Sequence, residues 1–161
     1  DVESIFVNAQ SGDGQGFELA VDWKARSWLS FALAYAYLET DLTTEDWVGT
    51  QAGSDWVAKS APQNQISLRS SIALAEDWRL NLWLRYVDQV ASPGDLLANP
   101  FVIDDYVVFN ANLMWTPTNN LEFMLAGQNL IDSGQVRYLS EYQTPATEIE
   151  RIVFGKVTWR F

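Results

Sequence analysis

Apolar and polar side chains alternate with a period of two along nearly the whole of this chain, and that period matches the pleat of a β-strand and no helix. Phe17, Leu19, Val21 and Trp23 alternate with Glu18, Ala20, Asp22 and Lys24. Leu29, Phe31, Leu33, Tyr35 and Tyr37 alternate with Ser30, Ala32, Ala34 and Ala36, and only Ala25 to Ser27 separates the two runs, which predicts a tight hairpin. The pattern returns in Ile66, Leu68, Ile72 and Leu74, then in Trp78, Leu80, Leu82, Leu84 and Tyr86 after a short turn through Glu76 and Asp77. Val107, Phe109, Ala111, Leu113 and Trp115 form the next run, Thr116 to Asn120 supplies turn chemistry, and Leu121, Phe123 and Leu125 follow. Val153, Val157, Trp159 and Phe161 end the chain on one face of a last strand, against Phe154, Lys156, Thr158 and Arg160.

Each strand thus has an apolar face and a face carrying Glu18, Asp22, Lys24, Arg69, Arg79, Arg85, Glu122, Lys156 and Arg160. Alternation alone fits two opposite solids: a soluble lipocalin-like barrel with the apolar face inside, and an outer-membrane barrel with that face on lipid. Three features favour lipid outside. The strands reach ~10 residues; Trp23, Trp28, Tyr37, Trp78, Tyr86, Trp115 and Trp159 lie near strand ends; and short connections alternate with long ones. The expected fold class is all-β, an antiparallel transmembrane β-barrel. Short turns at 25–27, 75–77 and 116–120 are then periplasmic, and the long segments near 41–63, 88–105 and 132–148 extracellular. The count is seven strands, or eight if another pairs near residues 3–10.

Composition narrows function. Of 161 residues 48% are hydrophobic and 14% aromatic, yet the net charge is -11, so the two characters must be separated in space. No window holds the ~18 uninterrupted apolar residues that a spanning helix needs. Without a single Cys or His, thiolate and imidazole metal ligands, cysteine nucleophiles and Ser-His-Asp triads are excluded. The adjacent Asp104 and Asp105 point to opposite faces of a strand and cannot converge on one bond, so no catalytic constellation is found and no enzyme is expected. The acidic balance argues against a nucleic-acid partner. Carboxylates at Asp88, Asp95, Asp104 and Asp105 lack the ordered spacing of a calcium loop, and no cofactor is expected.

Four segments, in order, resemble the β-barrel of TonB-dependent outer-membrane receptors. Asn8, Gly16, Phe17 and Glu18 are similar to a strand motif of that barrel, as are Pro62-Gln63-Asn64-Gln65 and the paired strands ending in Leu84-Arg85-Tyr86-Val87-Asp88. Gly127-Gln128-Asn129-Leu130-Ile131-Asp132 resembles a near-terminal signature of the family, and residues 147–161 resemble its C-terminal strand. The resemblance implies a barrel of about 22 strands closed by an N-terminal plug, import of a scarce nutrient such as a ferric siderophore, and energy delivered by TonB through the plug. The sequence has no counterpart of the plug or the TonB box. Residues 1–161 are therefore expected to be the C-terminal part of such a barrel, with outer-membrane lipid, the rest of the barrel and the plug as partners. A small self-contained or oligomeric outer-membrane barrel with a structural or adhesion role is the alternative, and the lipocalin-like binder a second.

Two sets of candidate site residues follow. Val157, Trp159 and Phe161 resemble the signal read by the barrel-assembly machinery; the plain reading is that they only face lipid. Trp47 and Trp56, among Asp41, Glu45, Asp46 and Asp55, are candidate extracellular ligand contacts through aromatic stacking and carboxylate hydrogen bonds; the plain reading is a solvated loop. The inward charges are expected to form a cross-strand network that stiffens the wall.

Overall fold

The computed structural model describes residues 8–45, 58–92, 101–131, 136–138 and 147–161. Its strands are β1 (Gln10–Arg26), β2 (Leu29–Thr44), β3 (Asn64–Ala73), β4 (Trp78–Val87), β5 (Val90–Ser92), β6 (Phe101–Ile103), β7 (Tyr106–Thr118), β8 (Leu121–Gln128), β9 (Val136–Tyr138), β10 (Thr147–Glu148) and β11 (Ile152–Trp159). Seven of them form one antiparallel sheet in the order β1-β2-β3-β4-β7-β8-β11, so every neighbour in space is the next long strand in sequence. The remaining four make two short antiparallel pairs, β5 with β6 and β9 with β10, within the long connections of the sheet. The seven strands expected from the alternation are those of the sheet. It remains open, with β1 and β11 as its two edges.

Register carries the apolar pattern across the strands without a break. Val21, Leu33, Leu68, Leu84 and Phe109 are successive cross-strand partners, and so are Leu19, Tyr35, Ile66, Tyr86 and Val107. Nearer the short turns the row is Leu29, Ile72, Leu80, Leu113 and Leu125. Because side chains alternate with a period of two, a one-residue slip anywhere would break all these rows at once.

That face has no cover. Phe17, Leu19, Val21 and Trp23 are all exposed, as are Leu33, Leu68, Leu84 and Leu125, and the buried apolar residues among those described are only Val87, Ile103 and Ala126. The sheet curves the other way: Lys24 on β1 and Phe154 on β11, at opposite edges, line one trough together with Arg69, Asn81 and Asn112. The apolar rows are therefore on the convex side, and the charged and amide side chains of these strands are on the concave side, with Trp83, Met124 and Phe154 among them. This arrangement is the reverse of the lipocalin-like one, and a continuous exposed apolar face of this extent requires a nonaqueous solvent.

Aromatic residues mark the two levels of that solvent. At the short-turn end Trp78 stacks on Trp115 with ring centroids 5.5 Å apart, Trp115 stacks on Phe123 at 5.3 Å, and the Trp115 indole N–H donates to Asp77 Oδ2 at 2.8 Å. At the other end the Tyr35 hydroxyl donates to Asn64 Oδ1 (2.8 Å), and the Asn64 amide donates to Asp88 Oδ2 (2.9 Å). Trp78 and Tyr86 are eight residues apart on β4, roughly 26 Å along the strand at ~3.3 Å per residue. With a strand tilt of about 35–45° this spans roughly 18–22 Å along the barrel axis, most of the ~25 Å apolar band of an outer-membrane barrel.

The structure extends the expected strands in two places. β1 and β2 run 17 and 16 residues, and their ladder from Gln10↔Thr44 to Gly16↔Leu38 continues past Asn64, the first residue of β3. No apolar alternation announced this overhang, because a ribbon with water on both faces needs none. Gly16 is required there by close approach: a Cβ on it would lie 2.4 Å from the Tyr37 carbonyl oxygen. The turn expected over 116–120 shrinks to Asn119–Asn120, since Thr116 and Pro117 are absorbed in an irregularity of β7 between Trp115 and Thr118, where a residue without an N–H breaks no ladder bond.

Placing Arg at Leu68 on the convex face should destabilise the folded protein in lipid vesicles by ~2–4 kcal/mol, whereas Arg at the neighbouring Ser67 on the concave face should cost less than ~1 kcal/mol. Denaturant unfolding of both variants measures the difference, and equal costs would contradict the assigned outer face.

Candidate functional site

The concave wall offers a solute a trough of about 1060 Å³. Asp22, Lys24, Arg69, Ser71, Arg79, Asn81, Trp83, Asn110 and Asn112 line it. They stand side by side because the polar phase of each strand is in register with the next: Asp22, Ala32, Arg69, Trp83 and Asn110 form one row, and Lys24, Ser30, Ser71, Asn81 and Asn112 another.

Within the first row Trp83 organises its neighbours. Its indole N–H donates to Ser67 Oγ at 2.9 Å, which fixes the ring plane, and the Arg69 guanidinium lies 4.5 Å from the ring centroid. In the second row the Asn81 amide donates to Asn112 Oδ1 at 2.8 Å. The expected cross-strand ion-pair network is not what forms among the described residues. Glu18 is opposite Ala36, Asp22 opposite Ala32, Arg85 between Ser67 and Val108, and Glu122 opposite Thr158. Alternation placed the charges on one face, but only register says which residues meet, and register pairs them with small and neutral side chains. The wall is stiffened instead by an amide pair and a cation held over an indole. Trp83 was legible as an aromatic on the polar phase of β4, and no pattern in the sequence marked its partner.

The candidate assembly residues lie on the outer side of β11 and beyond its end. Val157, Trp159 and Phe161 are 63%, 71% and 109% exposed, and the Trp159 and Phe161 rings meet edge to face at 6.4 Å. One edge of β11 pairs with β8 from Ile152↔Gln128 to Trp159↔Leu121, and its other edge is open in the sheet. Trp47 and Trp56 lie outside the described residues. Among the described residues no group of three or more carboxylates is placed to hold a metal ion.

Sequence reasoning missed the polar chain at the outer rim of the convex face. Asp88 accepts from Asn64, from its neighbour Gln89 N–H (3.1 Å) and from the Tyr86 hydroxyl (3.4 Å). The Asn64 hydrogen bond leads in holding the Asp88 carboxyl below its ordinary range, against partial desolvation, which pushes the other way. A carboxyl whose folded pKa is depressed contributes stability that is complete above the unfolded value of about 4 and is lost as pH falls through the folded value. Thermal stability should therefore hold on acidification to about pH 4 and fall below it, and Asp88→Asn should shallow that fall. A double-mutant cycle on Arg69 and Trp83 should give a coupling of about 0.5–1 kcal/mol; zero coupling would remove the indole's role on the wall.

The family described as TonB dependent receptor-like, beta-barrel matches residues 1–130. No curated protein matches the sequence. Solved structures share the fold at low identity. The ferric-catecholate import receptor Fiu of E. coli K12 superposes with a TM-score of 0.77 at 18% identity, over 93% of this chain and 21% of its own. The siderophore receptor PiuA of Acinetobacter baumannii gives 0.72 at 23% identity, over 94% of this chain and 22% of its own. The ferric yersiniabactin uptake receptor FyuA of Yersinia pestis gives 0.74 at 17% identity, over 96% and 24%. The chain thus spans about a fifth to a quarter of the length of these receptors. Its open sheet is a sector of a barrel wall of the outer membrane, and the chain belongs to the TonB-dependent receptor-like β-barrel family.

Proposed function

We propose that residues 1–161 are the C-terminal part of the barrel of an outer-membrane receptor that imports a ferric siderophore or a comparable nutrient, and that the chain acts in transport and not in catalysis. The observation that carries this reading is the polar concave wall behind an apolar convex face, in a chain whose family is that of TonB-dependent receptors. Solvated side chains such as Arg69, Asn81 and Asn112 on the concave side suit a barrel whose interior handles a polar solute or a polar domain. In this reading the rest of the barrel pairs with the open edges of β1 and β11, a plug occupies the interior, and TonB acts through that plug. Trp47 and Trp56 serve as ligand contacts among the extracellular connections, by stacking.

Uptake of radiolabelled iron, supplied as a panel of ferric siderophores, tests the reading in iron-limited cells with and without the full-length gene. Loss of uptake for one siderophore class, restored by the gene and abolished when TonB is removed, is the expected result. Equal uptake of every compound in both strains would overturn it.

In the same reading Val157, Trp159 and Phe161 form the signal that the barrel-assembly machinery reads. An aromatic end on a strand with an open edge suits recognition by strand addition. Phe161→Ser should lower the amount of folded, heat-modifiable protein in the outer membrane several-fold, and unchanged assembly would return Phe161 to a purely lipid-facing role.

A further inference from the structure

The alternation of Lys156 to Phe161 chooses the outer face of the last strand but does not choose between ladders that differ by two residues. Ile152, Val153 and Phe154 are consecutive apolar residues followed by Gly155, so the half of β11 nearest the long connections has no alternation to say which face is outer. The connection from Ile131 to Ile149 is also far longer than the short turns that fix register between β1 and β2, β3 and β4, and β7 and β8. Yet β11 pairs with β8 without irregularity from Ile152↔Gln128 onward. Some other contact must choose.

The four residues Gly127 to Leu130 make that contact. Asn129 is 2% exposed, the one buried polar residue among those described, and the one described non-glycine residue with positive φ, at 55°. Asn tolerates the left-handed region better than other side chains. The turn it creates takes the chain out of β8 and aims two donors in different directions. Its backbone N–H donates to Asn110 Oδ1 on β7 at 2.9 Å, and its side-chain amide donates to the carbonyl of Ile149, three residues before β11 begins. Next to it the Leu130 N–H donates to the Phe109 carbonyl at 2.8 Å, and the Leu130 side chain folds over Gly127 so closely that a Cβ there would lie 2.7 Å from Leu130 Cδ2. One turn is thus docked on β7 and at the same time holds the backbone that enters β11.

We propose that Asn129 is the register lock of the last strand. Docked against Asn110 and Phe109, the turn presents the Asn129 amide at a fixed height, and capture of the Ile149 carbonyl starts the β8–β11 ladder at Gln128. Slipped ladders separate that buried amide from the Ile149 carbonyl, a cost that the apolar run of β11 does not itself impose. This role is independent of what the barrel transports.

Disulfide trapping tests it, because the chain has no cysteine of its own. In the full-length protein assembled in cells, the pair Met124→Cys and Lys156→Cys reports the native register, and Met124→Cys with Phe154→Cys or Thr158→Cys reports slips of two residues. The native pair should dominate in the parent. Asn129→Ala, which removes the amide and disfavours the left-handed turn, should raise the ratio of slipped to native cross-links about fivefold or more, the equivalent of one net buried hydrogen bond. Asn129→Gly keeps the backbone conformation and removes only the side-chain donor, and it is read in the same way if the Ala variant gives too little barrel. Slipped cross-links in Asn129→Gly support the lock. Native cross-links alone, at the parent's yield, in Asn129→Gly overturn it.

Discussion

The hydrogen-bond ladder between neighbouring strands is the constraint on which everything else in this molecule rests. In hydrocarbon a backbone N–H or C=O without a partner costs several kcal/mol, so strands cross lipid only when each is paired along its length. Pairing fixes register, and register turns seven separate alternations into two continuous surfaces. The apolar rows through Leu33, Leu68 and Leu84 and the polar rows through Arg69, Trp83 and Asn110 are consequences of one choice made once per strand. The Trp78–Trp115–Phe123 stack and the Tyr35–Asn64–Asp88 chain then mark the two ends of the apolar face.

What could be read from the sequence divides along the same line. Strand existence and facing were legible because lipid enforces period two on every crossing, as in Phe17 to Trp23 or Trp78 to Tyr86. Strand ends were not legible where water takes over: Gln10 to Gly16 pair with Leu38 to Thr44 without any apolar signal, since neither face of that ribbon needs one. The concave wall was legible as a set of charged residues but not as a set of contacts. Arg69 meets Trp83 and not a carboxylate because cross-strand partners are set by turn lengths and bulges many residues away.

The Gly127 to Leu130 segment was recognisable by resemblance alone, and its physical content came only from the structure. Gly127 is small because Leu130 lies on it, and Asn129 is an asparagine because a left-handed backbone and a buried amide are needed at one position. A spacing rule sees none of this, since both requirements concern contacts with β7 and with the residues before β11.

In the overhanging part of the β1–β2 ribbon, seven residue pairs, roughly 23 Å of ladder at ~3.3 Å per residue, extend past the first residue of β3, and among the described residues no third strand lies beside most of their length. Gln15 donates to Glu39 at 2.8 Å near the base, but further out Asp13 faces Asp41, and like charges directly opposite weaken a two-stranded ladder. The ribbon therefore owes its shape to the β1–β2 ladder, anchored where Phe17 meets Tyr37, and a change at Asp13 or Asp41 acts on this projection and not on the register of the other strands.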